Sequence, residues 1–362
     1  MKVFIILTIY LTLIYNNNCN YQTSRLLTAD SLADFDTLKT TVLENGETLA
    51  YRELRSTKTQ VLLFLHATAC SSLMLNTGGF LGALSAITPN YRIIALDLRG
   101  NGASTYKTPI VTFNDFAADV KNFLTNLKIT KVVLMGTCLG GLVSQIFAAK
   151  YPTFLQGLIL DGALGIEGGY DLFSDLTKAK SAPWTQADLA TSSGYYKSIN
   201  SALNAKDNGI SLSGIFGFYQ PSQVTSANFN LLLADMMKTR NLGEVLYGEL
   251  TTNINTGKNP IGIAGTGDVV NIQGPVLVIH GKGDKFVPVV EAQKLATILG
   301  TTKCTLVLMP ETVGHFTWYD DLANTIAPIK TFIDARGTFN SMNGNYLGFR
   351  TMLIAAIFAF LI

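Results

Sequence analysis

The chain has 362 residues, of which 14% are charged, and a formal net charge of +2. So small a charge excess leaves no electrostatic footprint for a polyanionic partner, and binding to DNA or RNA is not expected. The length exceeds an average single domain, yet no charge run, proline-rich linker or repeat divides it, so one large domain carrying an insertion is the expected plan.

Residues 1–20 begin with Lys2, continue through VFIILTIYLTLIY and close on the polar NNNCN. A basic start, a short apolar run and a polar end are the layout of a secretory signal peptide; processing is expected after Cys19, with an uncleaved anchor as the alternative. Asn45-Gly46 lies between two stretches of mixed apolar and polar residues and predicts a hairpin within 38–55, read as an antiparallel edge pair. QVLLFLHAT, from Gln60, is continuously apolar, as a strand is when helices cover both faces of a parallel sheet. Ser71 to Thr88 is helical in part, Tyr91 to Leu98 reads as a strand, and Phe113 to Leu127 has apolar residues at helical spacing.

Residues 131–141, KVVLMGTCLGG, organise the rest of the chain. Val132, Val133, Leu134 and Met135 form a buried strand, while Gly136, Gly140 and Gly141 let the backbone crowd into a tight turn that opens a helix, leaving Cys138 at the apex. A helix ended by Pro152 and a strand in GLILDGA (157–163) continue the alternation, which implies a parallel α/β sheet with right-handed crossovers. From about 165 to 274 the alternation fails, and serine, asparagine, glycine and aromatic residues mix with helical stretches such as NFNLLLADMMKTR. An inserted, mainly helical cap over the carboxyl ends of the strands is expected there; a second small domain with its own core is the alternative. Sheet order resumes with PVLVIHGKGD (275–284), a helix from Val289 to Leu299, the strand CTLVLMP from Cys304, the loop ETVGHFTW and a helix from Asp321 to Ala335.

Residues 338–362 end in the apolar stretch Met352 to Ile362, well short of the roughly 20 residues a membrane-spanning helix needs. Small residues, a polar spacer and a short apolar tail are the signal for a glycosylphosphatidylinositol anchor; of Ser341, Asn343 and Gly344, Ser341 fits the spacer best, and a plain hydrophobic tail is the alternative. The two ends together predict the secretory pathway and a cell-surface protein held to the membrane by a C-terminal lipid anchor or a hydrophobic tail. Removal of the signal leaves Cys70, Cys138 and Cys304. A secretory route permits a Cys70–Cys304 disulfide, although each reads more simply as a small buried residue near a strand end.

LLFLHAT, DLRGNGAS, GTCLGG, HGKGDKFVP and GHF together resemble the α/β-hydrolase superfamily, its capped branch most closely, over about Leu38 to Gly337. The resemblance implies an α/β-hydrolase fold, a mostly parallel sheet flanked by helices, with 21–164 and 275–337 as the core and 165–274 as the inserted cap. It implies a nucleophile at Cys138, where the family usually has serine and where some members, such as dienelactone hydrolases, have cysteine. It also implies Asp284 as the orienting acid, in the family's acid turn before Val287-Pro288, with Asp161 as the alternative. The backbone N–H groups of Leu139 and Thr68 are the implied oxyanion donors, with Ala67 standing where the family usually has glycine.

The chain has three histidines. His66 and His280 both end apolar strands, where ring hydrogen bonds organise backbone; His315 lies beyond the final strand in a glycine-led loop and is the expected general base and acid. The chemistry needs each part: a helix N-terminus and an imidazolium favour the attacking thiolate, and an acceptor on the second ring nitrogen holds one tautomer. DLRGNGAS reads as structural, with Asp97 and Arg99 bracing loops while Gly100 and Gly102 permit the turn. Tyr195, Tyr196, Phe216, Phe218 and Tyr219 either line an apolar pocket or form the cap's own core. No HExxH, paired Cys-x-x-Cys, Walker loop or dinucleotide fingerprint stands in its proper context, so no metal or cofactor is expected.

The expected activity is cofactor-independent hydrolysis of an ester, thioester or related small-molecule apolar or acyl substrate by covalent Cys138-His315-Asp284 catalysis. Acyl transfer differs only in the acceptor. The alternative from another class is a surface-displayed ligand-binding protein that keeps the fold without turnover.

Overall fold

The computed structural model describes residues 34–169, 238–260 and 262–342. Eight strands form one sheet: β1 (Lys39–Val42), β2 (Thr48–Leu54), β3 (Gln60–Leu65), β4 (Tyr91–Leu96), β5 (Val132–Thr137), β6 (Leu155–Asp161), β7 (Val276–Gly281) and β8 (Cys304–Met309). Their order is β1-β2-β4-β3-β5-β6-β7-β8; β1, β2 and β4 pair antiparallel and every pair from β4 to β8 is parallel. This is the mostly parallel α/β sheet expected from the alternation of apolar strands and helices. Every residue of β5 and β7 is buried, which explains why both read as unbroken apolar runs.

The hairpin at Asn45-Gly46 forms the edge pair β1–β2, turning through Gly46 at φ 81° with Gly46 N donating to Leu43 O at 2.9 Å. β4 stops at Leu96, two residues earlier than the pattern suggests, and beyond it stands Asp97, whose N still donates to Ala50 O at 2.9 Å. Its carboxylate accepts from Ser72 N at 2.6 Å and Ala103 N at 2.9 Å, and so ties two loops to the end of the strand.

The main α-helices among the described residues flank or extend the sheet: α1 (Phe80–Ile87), α2 (Phe113–Asn126), α3 (Leu139–Lys150), α4 (Leu242–Thr251), α5 (Val289–Leu299), α6 (Thr317–Asp320) and α7 (Leu322–Met342). α2 starts where Asp115 Oδ2 accepts from Val111 N and Thr112 N, satisfying groups the first turn leaves open. Its buried Phe113, Phe116, Val120 and Phe123 recur at helical spacing, and it packs against α3, while α1 packs against α7. α7 runs past Ala335 to Met342: Gly337 is the one helix-weakening residue there, and a single glycine costs about 1 kcal/mol without ending a helix.

DLRGNGAS does the bracing expected of it. Arg99 Nη2 and Nε meet Asp119 Oδ1 and Oδ2 at 2.6 and 2.7 Å, joining the β4 loop to α2, and the two side chains are only 5% and 2% exposed. Removing one partner strands the other charge in the interior, so Asp119→Ala is expected to lower the unfolding free energy by about 3–5 kcal/mol. Urea denaturation measures this; a loss below about 1 kcal/mol would show that the Arg99 charge finds water instead.

Cys70, Cys138 and Cys304 are free and buried, so the Cys70–Cys304 pairing is not formed. No helix of the described residues is long and apolar enough to cross a membrane. The proposed signal peptide, the apolar C-terminal tail with Asn343 and Gly344, and the cap aromatics Tyr195, Tyr196, Phe216, Phe218 and Tyr219 lie outside the described residues, as do 170–237 of the expected cap. Ser341 falls in the last turn of α7. The remainder of the cap range supplies α4 and a helical turn at Asp268–Asn271 that packs on α3.

Candidate active site

The turn between β5 and α3 is too tight for side chains at two of its glycines. A Cβ on Gly136 would lie 2.2 Å from Gly140 O, and one on Gly140 would lie 2.2 Å from Leu65 O. Only glycine lets α3 fold back on β5 while approaching the end of β3. The contraction falls on Cys138, which takes φ 51° and ψ −120°, a region that costs a side-chain-bearing residue of order 1–3 kcal/mol. Packing on every side holds it there: Cys138 is buried, and its carbonyl accepts from Leu164 N at 3.1 Å.

His315 approaches the same place from the loop after β8. Gly314 N donates to Asp320 Oδ2 at 2.7 Å, which closes the loop, and His315 O lies against Gly162 where β6 turns away. Phe286 and Phe316 wall the imidazole, their ring centroids 4.8 and 4.6 Å from it. His315 Nδ1 is bonded to Asp284 Oδ2 at 2.8 Å. The other oxygen, Oδ1, accepts from Phe286 N at 2.7 Å and Val287 N at 2.9 Å, so the acid turn fixes the carboxylate before the histidine meets it.

Burial by itself would push the His315 ring below its ordinary 6.5, but the Asp284 carboxylate and the neighbouring Cys138 side chain outweigh it and raise the ring to about 10. Burial likewise opposes ionisation of Asp284, and His315 together with His280 holds it well below the usual carboxylate range. His315 Nε2 is buried with no other hydrogen-bond partner, and the Cys138 side chain lies close enough to act on the ring.

These shifts set a sign for stability. The folded state binds the His315 proton more tightly than the unfolded chain does, so that contribution is full below about 6.5 and is lost as pH rises through about 10. Asp284, depressed, stays ionised across that interval. The stability difference between wild type and His315→Gln is therefore expected to shrink steadily from pH 6.5 to 10, read from urea midpoints; a difference that stays constant would mean the ring is neutral in the fold.

Of the other sequence candidates, Asp161 is hydrogen-bonded elsewhere: its Oδ1 accepts from Thr317 Oγ1 at 2.5 Å, and burial pushes its carboxyl up to about 7. His66 serves backbone, with Nε2 accepting from Leu98 N at 3.0 Å and Nδ1 bonded to Ala67 O at 2.7 Å. His280 donates through Nε2 to Val287 O at 2.9 Å, and the same nitrogen lies 3.3 Å from Asp284 Oδ2, so it also braces the acid. Leu139 opens α3 beside Cys138, and Thr68 lies in the loop that follows β3. Gly140 N donating to His66 O at 3.0 Å joins these two segments. Neither the Thr68 nor the Leu139 amide is taken up by a turn or cap hydrogen bond among the described residues. Ala67 occupies the expected glycine position without a positive φ; the left-handed residue of the loop is Ala69, at φ 56°.

The sequence reading missed Glu249. This α4 residue is fully buried, and Thr68 Oγ1 donates to its Oε1 at 2.5 Å across 181 positions of sequence. The available signal was periodicity: Glu249 shares the stripe of Val245 and Leu246, the buried side of α4.

Residues 60–322 match the model of the alpha/beta hydrolase fold family. A probable alcohol acetyltransferase from Wickerhamomyces anomalus is 33% identical over 122 residues, 33% of this chain and 35% of that protein. Matches to further relatives at 30% identity or more also span well under two thirds of their lengths. A 2-hydroxy-6-oxononadienedioate/2-hydroxy-6-oxononatrienedioate hydrolase from Paraburkholderia phymatum is 28% identical over 68% of this chain and 79% of its own. Among solved structures, an esterase from Rhodococcus superposes with a TM-score of 0.60 at 20% identity, covering 82% of this chain and 98% of that one.

Proposed function

Because the chain belongs to the α/β-hydrolase fold family, whose model spans residues 60–322, we propose that it cleaves ester, thioester or related acyl bonds through a covalent intermediate on Cys138. The observation that carries this is the line from Asp284 Oδ2 through His315 Nδ1 to an unpartnered Nε2 beside a thiol at a strained strand-to-helix turn. Cys138 Sγ attacks the acyl carbon, and its proton resides on His315 Nε2. The negative charge on the acyl oxygen is taken by the amides of Leu139 and Thr68. Collapse of the tetrahedral adduct breaks the bond to the leaving alcohol or thiol, which departs with the His315 proton. The freed imidazole then takes a proton from water, the hydroxide adds to the thioester, and the second collapse returns the acid and the Cys138 thiol.

The test is to trap the intermediate. Mixing the protein with p-nitrophenyl butyrate and quenching in acid is expected to add a butyryl mass to the peptide containing Cys138. Turnover with no acyl mass on that peptide would overturn the covalent route, and no turnover of any acyl ester would overturn the enzyme reading in favour of ligand binding.

Acyl transfer is the second reading, supported by the resemblance to an alcohol acetyltransferase. It differs in one step, since an alcohol replaces water at the acyl-enzyme. Added ethanol would then yield ethyl ester in place of free acid.

A further inference from the structure

Two buried polar atoms on residues around the site have no hydrogen-bond partner. One is His315 Nε2, which the proposed reaction uses; the other is Glu249 Oε2, which it does not. Glu249 reaches the site from α4. Its first oxygen is held by the hydroxyl of Thr68, the residue whose amide faces the reacting carbonyl in the reading above, and both side chains are fully buried. Its charge state senses His315, which sets it within electrostatic reach of the triad.

The chemical state of this carboxyl follows from its surroundings. No lysine or arginine forms an ion pair with Glu249 among the described residues, and a buried carboxylate without a cation is costly, so the group takes a proton. Burial pushes it up to about 8, against the opposing hydrogen bond from Thr68 and the charge of His315. Thr68 Oγ1 donates to Oε1, which makes Oε1 the carbonyl oxygen of the acid and puts the proton on Oε2. A buried O–H with no acceptor leaves a hydrogen bond unmade, and such a group gains most from a ligand that brings the acceptor.

Resting on the acyl-cleavage reading, we propose that Glu249 is a specificity residue whose Oε2–H donates a hydrogen bond to a neutral oxygen in the acyl group of the substrate, so that the preferred substrates carry an ether, keto or hydroxyl oxygen near the scissile carbonyl. A neutral donor selects oxygen acceptors. A cationic amine would instead require the ionised carboxylate, and the two cases separate experimentally.

The probes are p-nitrophenyl methoxyacetate and p-nitrophenyl butyrate, equal in chain length and differing by one oxygen in place of a methylene. Their kcat/KM ratio is compared with the ratio of their hydroxide-catalysed rates, which removes intrinsic reactivity. Wild type is expected to favour methoxyacetate by roughly tenfold beyond the chemical ratio, the size expected when a buried donor gains or loses its acceptor. Glu249→Gln should keep that preference, because a neutral amide can accept from Thr68 and still donate; Glu249→Met should lose it. Wild type with no preference overturns the proposal while leaving acyl cleavage standing. Loss of preference in Glu249→Gln equal to that in Glu249→Met overturns it, because a neutral donor in that place would then not carry the preference.

If wild type hydrolyses neither ester, the acyl-cleavage reading fails, and methoxyacetone and 2-pentanone replace the esters. Their affinities are read by titrating the ring resonances of His315, one of only three histidines in the chain. Tighter binding of methoxyacetone by wild type and by Glu249→Gln supports the donor; equal affinities overturn it.

Discussion

Cys138→Ala is expected to lower kcat/KM toward short acyl esters by about 10⁶-fold, the scale seen when a nucleophile that works in concert with its base is removed. The fold should survive the change. Cys138 is buried at the apex of the turn, and alanine keeps its Cβ while removing one atom, so the strain at φ 51° is unchanged and the cavity left is small. What remains is the Leu139 and Thr68 amides and the binding surface, which can sustain about 10³–10⁴-fold acceleration over water on their own. Steady-state kinetics with p-nitrophenyl butyrate, alongside thermal melts to establish folding, provides the measurement. An alanine variant that keeps more than a few per cent of wild-type kcat/KM would mean that the acyl group passes through another residue or directly to water.

For Asp284→Asn, kcat is expected to fall by about 10⁴-fold while the turn keeps its shape. The asparagine oxygen can still accept from Phe286 N and Val287 N, so the loop keeps its shape. Its amide nitrogen then faces His315 Nδ1, where two donors oppose each other and the ring is driven to the wrong tautomer. His315 also loses the carboxylate that raises it to about 10. Two readouts therefore move together: kcat in kinetics, and the His315 titration midpoint, which should fall toward neutrality in ring NMR. Asp161→Asn is the comparison. Its Oδ1 serves Thr317, so the expected loss is under about tenfold. Equal losses in the two variants would show that Asp284 has no special hold on the imidazole.

The contrast between these two aspartates marks where sequence reading stops. Both stand at the carboxyl end of a strand, Asp161 as the last residue of β6 after GLIL and Asp284 in the turn after β7, and either spacing suits an orienting acid. What separates them is Thr317, which occupies Asp161 from a helical turn that begins two residues beyond His315. Such a pairing depends on how the loop after β8 settles, and no local pattern encodes it. The strands themselves were legible because burial on both faces forces a continuous apolar string, as in Val132–Met135 and Val276–Ile279. The glycines of the β5–α3 turn were legible for a steric reason, since backbone sits within 2.2 Å of where a Cβ would be. Glu249 was hidden by the opposite circumstance. Periodicity puts Glu249 on the buried side of α4, but its partner Thr68 lies 181 positions away, so only the folded chain reveals the pairing.

The strand order gives the site an all-or-nothing character. Thr68 follows β3, Cys138 follows β5, Asp161 closes β6, Asp284 follows β7 and His315 follows β8, and these five strands are consecutive neighbours in the parallel sheet. The candidate site is therefore a row across the carboxyl edge of the sheet, with each member supplied by a different crossover. No fragment ending before β8 holds more than part of it, and a chain emerging N-terminus first carries its thiol for 177 residues of synthesis before His315 is made. Until then Cys138 has no His315 beside it, so the proposed nucleophile and base can meet only after β8 has been made.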